Sequence, residues 1–181
     1  MTAELLLDNS AWARLDDPSL PRDRVEEIAS ALEERRIAVC LPFLLEAGYS
    51  ARHAAGHADL LEELLALPVL HIDETIERRA VDAQGQLARA AHHRLPPVDL
   101  ILAAVADRHD LGVLHYDADY DILRSRTDLR FESVWLAPRG SCEERFGLLA
   151  LAGRRTAASS ATAQPARGLG QPYEELHFRT G

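Results

Sequence analysis

Residues 4–12 read Glu-Leu-Leu-Leu-Asp-Asn-Ser-Ala-Trp: three leucines run straight into Asp8, and two small polar residues follow. A short apolar run that ends in turn residues predicts a buried strand, here residues 4–7. Asp8 then stands at the strand's C-terminal end, the edge at which open parallel α/β sheets bind their ligands. A carboxylate held against a core needs a partner. Two answers are open at this point: Asp8 or Ser10 caps a helix beginning near Ala11, or Asp8 holds a ligand.

The rest of the chain alternates between the same two kinds of element. Val25, Ile28, Ala29 and Leu32 recur at i, i+3, i+4 and i+7 and predict an amphipathic helix over 22–36. The apolar, partly β-branched run 37–40 predicts a strand. Pro42 fits the first turn of the next helix, which runs to about residue 53 and is broken at Gly56. A further helix is expected over 58–66 and a strand over 69–72. Asp73 caps a long helix over 74–93, ending near His92 and His93. After Pro96 and Pro97 comes a helix over 98–109 that is apolar almost all round and therefore buried on most sides. Gly112 closes a turn before a strand over 113–116, an acidic segment over 117–124 and a last strand over 131–136. Strands alternating with helices indicate an α/β domain with a mostly parallel sheet.

Three more acidic sites share the position of Asp8. Glu46 is the only charge between Ile37 and Ser50; its apolar neighbours predict a largely buried helix, so it pairs with an arginine such as Arg52 or faces a metal. Asp99 lies in the first turn of the apolar helix, where the macrodipole favours an acid but where the helix start also meets the sheet edge. Asp117, Asp119 and Asp121 follow a strand, and their alternation predicts a turn that presents two of them together, or else a solvated loop. A calcium loop is excluded, because Ile122 stands at the position that needs glycine and Asp128 at the one that needs glutamate. His53 and His57 have zinc-pair spacing, but Ala54 replaces the glutamate of H-E-x-x-H. Asp8-Asn9-Ser10 lacks the second aspartate of D-x-D phosphatases.

The chain has 181 residues and a net charge of −9, with all 20 basic residues arginine. That balance argues against generic nucleic-acid binding, although clustered carboxylates repel nucleic acid only until cations arrive. Two cysteines, Cys40 and Cys142, make neither a disulfide framework nor a metal quartet. No charged-then-apolar leader precedes Asp8, and no apolar run is long enough to cross a bilayer. A cytoplasmic protein with no membrane association is expected. Residues 153–172 are rich in Ala, Ser, Thr, Gly, Gln and Pro without periodicity, the composition of a flexible tail; residues 173–178 are apolar enough to dock.

Four stretches in order resemble the PIN-domain ribonucleases, in particular the VapC toxins of toxin–antitoxin pairs. They are Leu7-Asp8-Asn9-Ser10-Ala11, then Leu45-Glu46, then Pro97-Val98-Asp99-Leu100-Ile101-Leu102-Ala103-Ala104, and Leu114-His115-Tyr116-Asp117-Ala118-Asp119-Tyr120-Asp121. Asn9 stands where the family usually has threonine, which leaves Ser10 to carry the hydroxyl role, and the segment after residue 140 is longer than usual. The resemblance implies a three-layer PIN-like domain over 1–140 with a central, mostly parallel sheet flanked by helices, and a largely flexible extension over 141–181. It implies that Asp8, Glu46, Asp99 and Asp117 or Asp119 converge on one or two Mg²⁺ or Mn²⁺ ions, with Asp8 and Asp99 the foremost ligands. Glu46 binds metal or orients water, and Ser10 hydrogen-bonds a carboxylate or the phosphate. Hard divalent cations suit oxygen ligands, and such a cation supplies an activated water and offsets charge on a leaving oxygen. The implied activity is metal-dependent RNA hydrolysis by a homodimeric toxin, silenced by a small antitoxin whose arginine reaches the acids. The alternatives are a PIN nuclease for RNA maturation without an antitoxin, and a non-catalytic PIN-like binding module.

Overall fold

The computed structural model describes residues 3–91 and 94–142. The expectations for His92 and His93, and those for the extension from residue 143 onward, including 173–178, lie outside the described residues.

The elements run β1 (Leu5–Leu7), α1 (Asn9–Trp12), α2 (Arg22–Glu33), β2 (Ile37–Cys40), α3 (Leu41–Tyr49), α4 (Ala54–Leu65), β3 (Val69–Leu70), α5 (Glu74–Arg89), α6 (Pro97–His109), β4 (Gly112–His115), α7 (Asp119–Arg126) and β5 (Glu132–Trp135). The five strands form one sheet in the order β3-β2-β1-β4-β5. All four pairings are parallel. The expected α/β architecture, a parallel sheet flanked by helices, is therefore what the chain adopts.

Leucine is a better helix former than strand former, so propensity does not make β1 a strand. Pairing does: Leu5 and Leu6 align with Ile37 and Ala38 on one side, and Leu5, Leu6 and Leu7 with Gly112, Val113 and Leu114 on the other. A strand covered by helices on both faces reads as an unbroken apolar run, and Leu6, Leu7 and all four residues of β2 have no exposed surface. From β1 the chain first builds outward through β2 to β3. It then crosses back through α5 and α6 to place β4 on the opposite side of β1. That reversal opens a crevice at the C-terminal ends of β1 and β4, the usual ligand site of such sheets.

Several boundaries differ from the sequence expectation. Helix α2 stops at Glu33 rather than at 36 because Arg35 takes a left-handed conformation, φ 57°. Gly56 does not break a helix. It lies in the first turn of α4, where its N–H donates to His53 Nδ1 at 2.9 Å, and the break falls earlier, between Tyr49 and Ala54. Helix α5 ends at Arg89, short of 93, with Asp73 capping its start as expected through Ile76 N–H at 2.9 Å. The acidic segment 117–124 is largely helical, α7. The turn before β4 is made by Asp110, φ 55°, not by Gly112. An aspartate tolerates that conformation better than most side-chain-bearing residues.

Gly112 instead opens β4, where the sheet leaves no room for a side chain. A Cβ there would lie 2.9 Å from Leu5 Cδ2 and 3.0 Å from Val134 Cγ2. Overpacking a filled interior costs about 1–3 kcal/mol. Gly112→Ala is expected to lower unfolding stability by about that much, measured by urea denaturation, and a variant as stable as the wild type would show that β1 and β5 yield without cost.

Candidate active site

The crevice gathers its acids from four elements. Asp8 follows β1, is nearly buried and caps α1: its Oδ2 accepts the Ser10 N–H at 2.8 Å and also the Ser10 hydroxyl. Its Oδ1 accepts the Tyr120 hydroxyl at 2.8 Å, and its own N–H donates to the Leu114 carbonyl at 3.0 Å, continuing the β1–β4 ladder. The two readings of Asp8 are therefore not exclusive, since it is a cap that faces the site. Ser10 Oγ, having given its proton to Asp8, accepts the Tyr116 N–H at 2.8 Å. One hydroxyl thus joins the turn after β1 to the turn after β4.

Asp99 is held differently. It sits in the first turn of α6 at 8% exposure, and its Oδ2 is buried with no hydrogen-bond partner. Among the described residues, its carboxylate and those of Asp117 and Asp119 offer oxygens that all lie within 4.8 Å of one another. Asp117 Oδ1 accepts the Asp119 N–H at 3.0 Å, so the turn presents two of its three acids together, as its alternation suggests. The third, Asp121, faces away and accepts the Ser133 hydroxyl at 2.6 Å and the Trp135 indole N–H at 3.1 Å.

Glu46 is half-buried on α3 and makes no ion pair among the described residues, Arg52 included. The expected burial of α3 holds for Pro42, Phe43, Leu44, Ala47 and Gly48, but not for the other face of the helix, where Leu41, Leu45 and Tyr49 are exposed. Burial, then the charge of Asp8, raises the Glu46 carboxyl above its ordinary range. Burial, then Asp117, does the same for Asp119. For Asp99, burial followed by the charges of Asp8, Asp117, Asp119 and Glu46 pushes the carboxyl up to about 8. An orphaned buried carboxylate oxygen among further carboxylates is a donor set that fits a hard divalent cation, so the residues present fit Mg²⁺ or Mn²⁺. The zinc alternative at His53 and His57 does not gain support, because His53 Nδ1 is taken by the α4 cap.

Two residues of this site escape sequence reasoning. Tyr120 and His115 are fully buried beside the acids. Their signal was faint: each reads as an ordinary residue of a strand or an acidic stretch until α7 turns Tyr120 back onto Asp8.

Residues 5–125 match the family described as PIN domain, and the chain belongs to that family. Within it, the chain is 34% identical over 143 residues to the protein named Ribonuclease VapC51 of Mycobacterium tuberculosis, spanning 79% of this chain and 100% of that one. It is 33% identical over 138 residues to Ribonuclease VapC18 of the same organism, spanning 75% and 96%. The fold is that of VapBC2 from Rickettsia felis bound to a DNA fragment from its promoter, with a TM-score of 0.57 at 14% identity, covering 75% of this chain and 99% of that one. It is also that of DNA-bound VapBC from Salmonella typhimurium, with a TM-score of 0.56 at 17% identity, covering 75% and 99%.

The electrostatics of Asp99 have a measurable consequence. Unfolded, its carboxyl ionises near 4; folded without metal, it keeps its proton to about 8. Its unfolded form therefore loses the proton first, so the contribution of Asp99 to the stability of the metal-free protein falls as pH rises from about 4 to about 8 and levels off above that. Asp99→Asn removes this penalty. Denaturation in a chelator is expected to show equal stabilities near pH 4 and a variant more stable by at least about 1.4 kcal/mol, one pKa unit, near pH 8. A variant less stable at pH 8 would make Asp99 a structural acid.

Proposed function

We propose that this chain is a Mg²⁺- or Mn²⁺-dependent endoribonuclease that hydrolyses RNA phosphodiester bonds, the toxin of a VapBC-like pair. Membership of the PIN family and the VapC ribonuclease relatives support the reading. The observation that carries the metal is Asp99: a nearly buried carboxylate, one oxygen unpartnered, set against Asp117 and Asp119. Asp99, Asp117 and Asp119 would hold the ion, with Asp8 and Glu46 completing the negative field. A divalent cation there supplies a water of lowered pKa and neutralises charge on the scissile phosphate. Ser10 and Tyr120 keep Asp8 turned into the crevice by donating to its two oxygens.

An apolar groove beside the acids supports the antitoxin. It has a volume of about 860 Å³, and its lining combines apolar residues such as Leu41, Leu45, Tyr49 and Ile101 with the charged Glu46 and Arg52. Leu45 and Tyr49 are 64% and 93% exposed, an apolar surface that a partner's amphipathic segment would cover. A guanidinium carried on that segment would reach the carboxylates as a bidentate donor. The resemblance to VapC toxins is what supports the further reading of a cytoplasmic homodimer. Among the described residues no helix is long and apolar enough to cross a membrane.

Brief induction followed by sequencing of RNA 5′ ends tests the activity. Discrete new ends are expected with the wild type, none with Asp99→Asn, and none when a small protein encoded by the neighbouring upstream gene is co-expressed. Equal patterns from wild type and Asp99→Asn would reject metal-dependent cleavage by this site, and cleavage undiminished by the neighbour would favour the maturation-nuclease alternative. Mn²⁺ titration of the purified protein is expected to raise its melting temperature with concentration. The nuclease domain is proposed to end near residue 140, so a chain cut after residue 152 should cleave the same RNA sites. Loss of folding on truncation would assign the extension to the domain.

A further inference from the structure

His115 ends β4 with no exposed surface, and each of its ring nitrogens has one partner. Nδ1 accepts the Asp117 N–H at 3.1 Å. Nε2 lies 2.8 Å from Ser133 Oγ. The tautomer follows from counting protons. The Ser133 hydroxyl has one proton, and it goes to Asp121 Oδ1 at 2.6 Å, a carboxylate oxygen. Ser133 Oγ must then accept from Nε2–H. Nδ1 is left as a lone pair, the form that the Asp117 amide requires. Trp135 holds the far end of the chain by donating to Asp121 Oδ2 at 3.1 Å. The ring itself is fixed between Tyr120, 4.7 Å away, and Trp135, 5.0 Å away.

The hydrogen bonds therefore run from Asp121 on α7 and Ser133 on β5, through His115, to the backbone of Asp117. From there the Asp117 carboxylate takes the Asp119 amide. The Asp117 backbone is joined to this acceptor nitrogen directly, and the Asp119 amide through the Asp117 carboxylate. We propose that His115 is a positioning residue that holds the Asp117–Asp119 arm in place for a divalent cation, with Ser133 and Asp121 setting its tautomer. The inference rests on the metal-binding reading above and adds to it which residues outside the acid cluster set the affinity. Asp121, the acid that faces away, thereby acquires a role: it orients the ring rather than the ion.

The test uses the full chain and Mn²⁺ alone, followed by calorimetry and by the free-ion electron paramagnetic resonance signal. Asparagine places a carbonyl oxygen near the Nδ1 position, whereas leucine fills the space with no acceptor. His115→Leu is expected to weaken Mn²⁺ binding about 10- to 100-fold, the usual loss when a residue orienting a metal ligand is removed, and His115→Asn to recover most of that loss. The ¹⁵N spectrum of the wild-type ring is expected to report a neutral Nε2–H imidazole, and Ser133→Ala, which removes the acceptor of Nε2–H and frees the ring to shift, to weaken Mn²⁺ binding; unchanged binding in Ser133→Ala would overturn the part given to Ser133. Wild-type affinity in His115→Leu, equal losses in the leucine and asparagine variants, or an Nδ1–H ring in the wild type would each overturn the proposal. Should His115→Leu fail to fold, the wild-type tautomer and Ser133→Ala decide alone. A wild type that binds no Mn²⁺ at all would instead sink the metal reading itself, a result distinguishable from binding that ignores His115.

Discussion

Asp8 is tied down at every polar atom that reaches the crevice. Its amide extends the sheet through the Leu114 carbonyl, and its two carboxylate oxygens take the Ser10 amide, the Ser10 hydroxyl and the Tyr120 hydroxyl. Each of those donors belongs to an element that must be in place for the others. Tyr120 requires α7 to fold back over β4, and Ser10 requires the turn after β4 to offer its Tyr116 amide. A buried polar network is stabilising when all its members are satisfied, and here the network joins β1, α1, β4 and α7 around one side chain. The acid at the floor of the site is also a fastening of the fold, which is why its charge stays close to Asp99 and contributes to raising that carboxyl.

Against that background the unpartnered oxygen of Asp99 is informative. Buried polar atoms are nearly always hydrogen-bonded, and the chain supplies donors to the other acids of the crevice, to Asp8 and to Asp117. It supplies none to Asp99 Oδ2. The nearby groups are carboxylates, each of which makes ionisation of Asp99 harder. On the proposed reading, the mutual repulsion of these acids is the counterpart of affinity for a cation: the energy that disfavours several negative charges together would be recovered when a divalent ion enters. Glu46 and Asp119, both shifted in the same direction, would share in that recovery.

The acids could be read from the sequence because each one violates a local pattern: a charge after three leucines, a charge inside an apolar helix, a charge where a strand ends. The parallel sheet could be read because periodicity alternated between strand and helix. Boundaries set by single backbone conformations could not. Arg35 adopts left-handed geometry that nothing in its identity announces, Asp110 adopts it two residues before the glycine that reads as the turn, and Gly56 reads as a breaker where it is only a small residue in a first turn. His115, Tyr120 and Ser133 were hidden for another reason. Their role exists only after β4, α7 and β5 pack together, and a histidine in a strand has no periodic signature of what its two nitrogens will meet.

The charge of the whole chain bears on how such a site is used. At a net −9, the protein attracts an RNA backbone poorly from a distance, so the attraction has to be created locally, in the crevice, when a cation occupies it. On the proposed reading the same carboxylates serve three cations in turn: a proton on Asp99 in the empty site, a divalent ion in the active one, and a guanidinium of the antitoxin in the silent one. Ligands that compete for one charge cluster are linked, so each weakens the others' binding. The apolar groove along Leu45 and Tyr49 then matters because it lies beside the acids at Glu46. A partner anchored there by apolar contacts presents its arginine at high effective concentration, which allows one weak guanidinium–carboxylate contact to hold its place against a divalent ion.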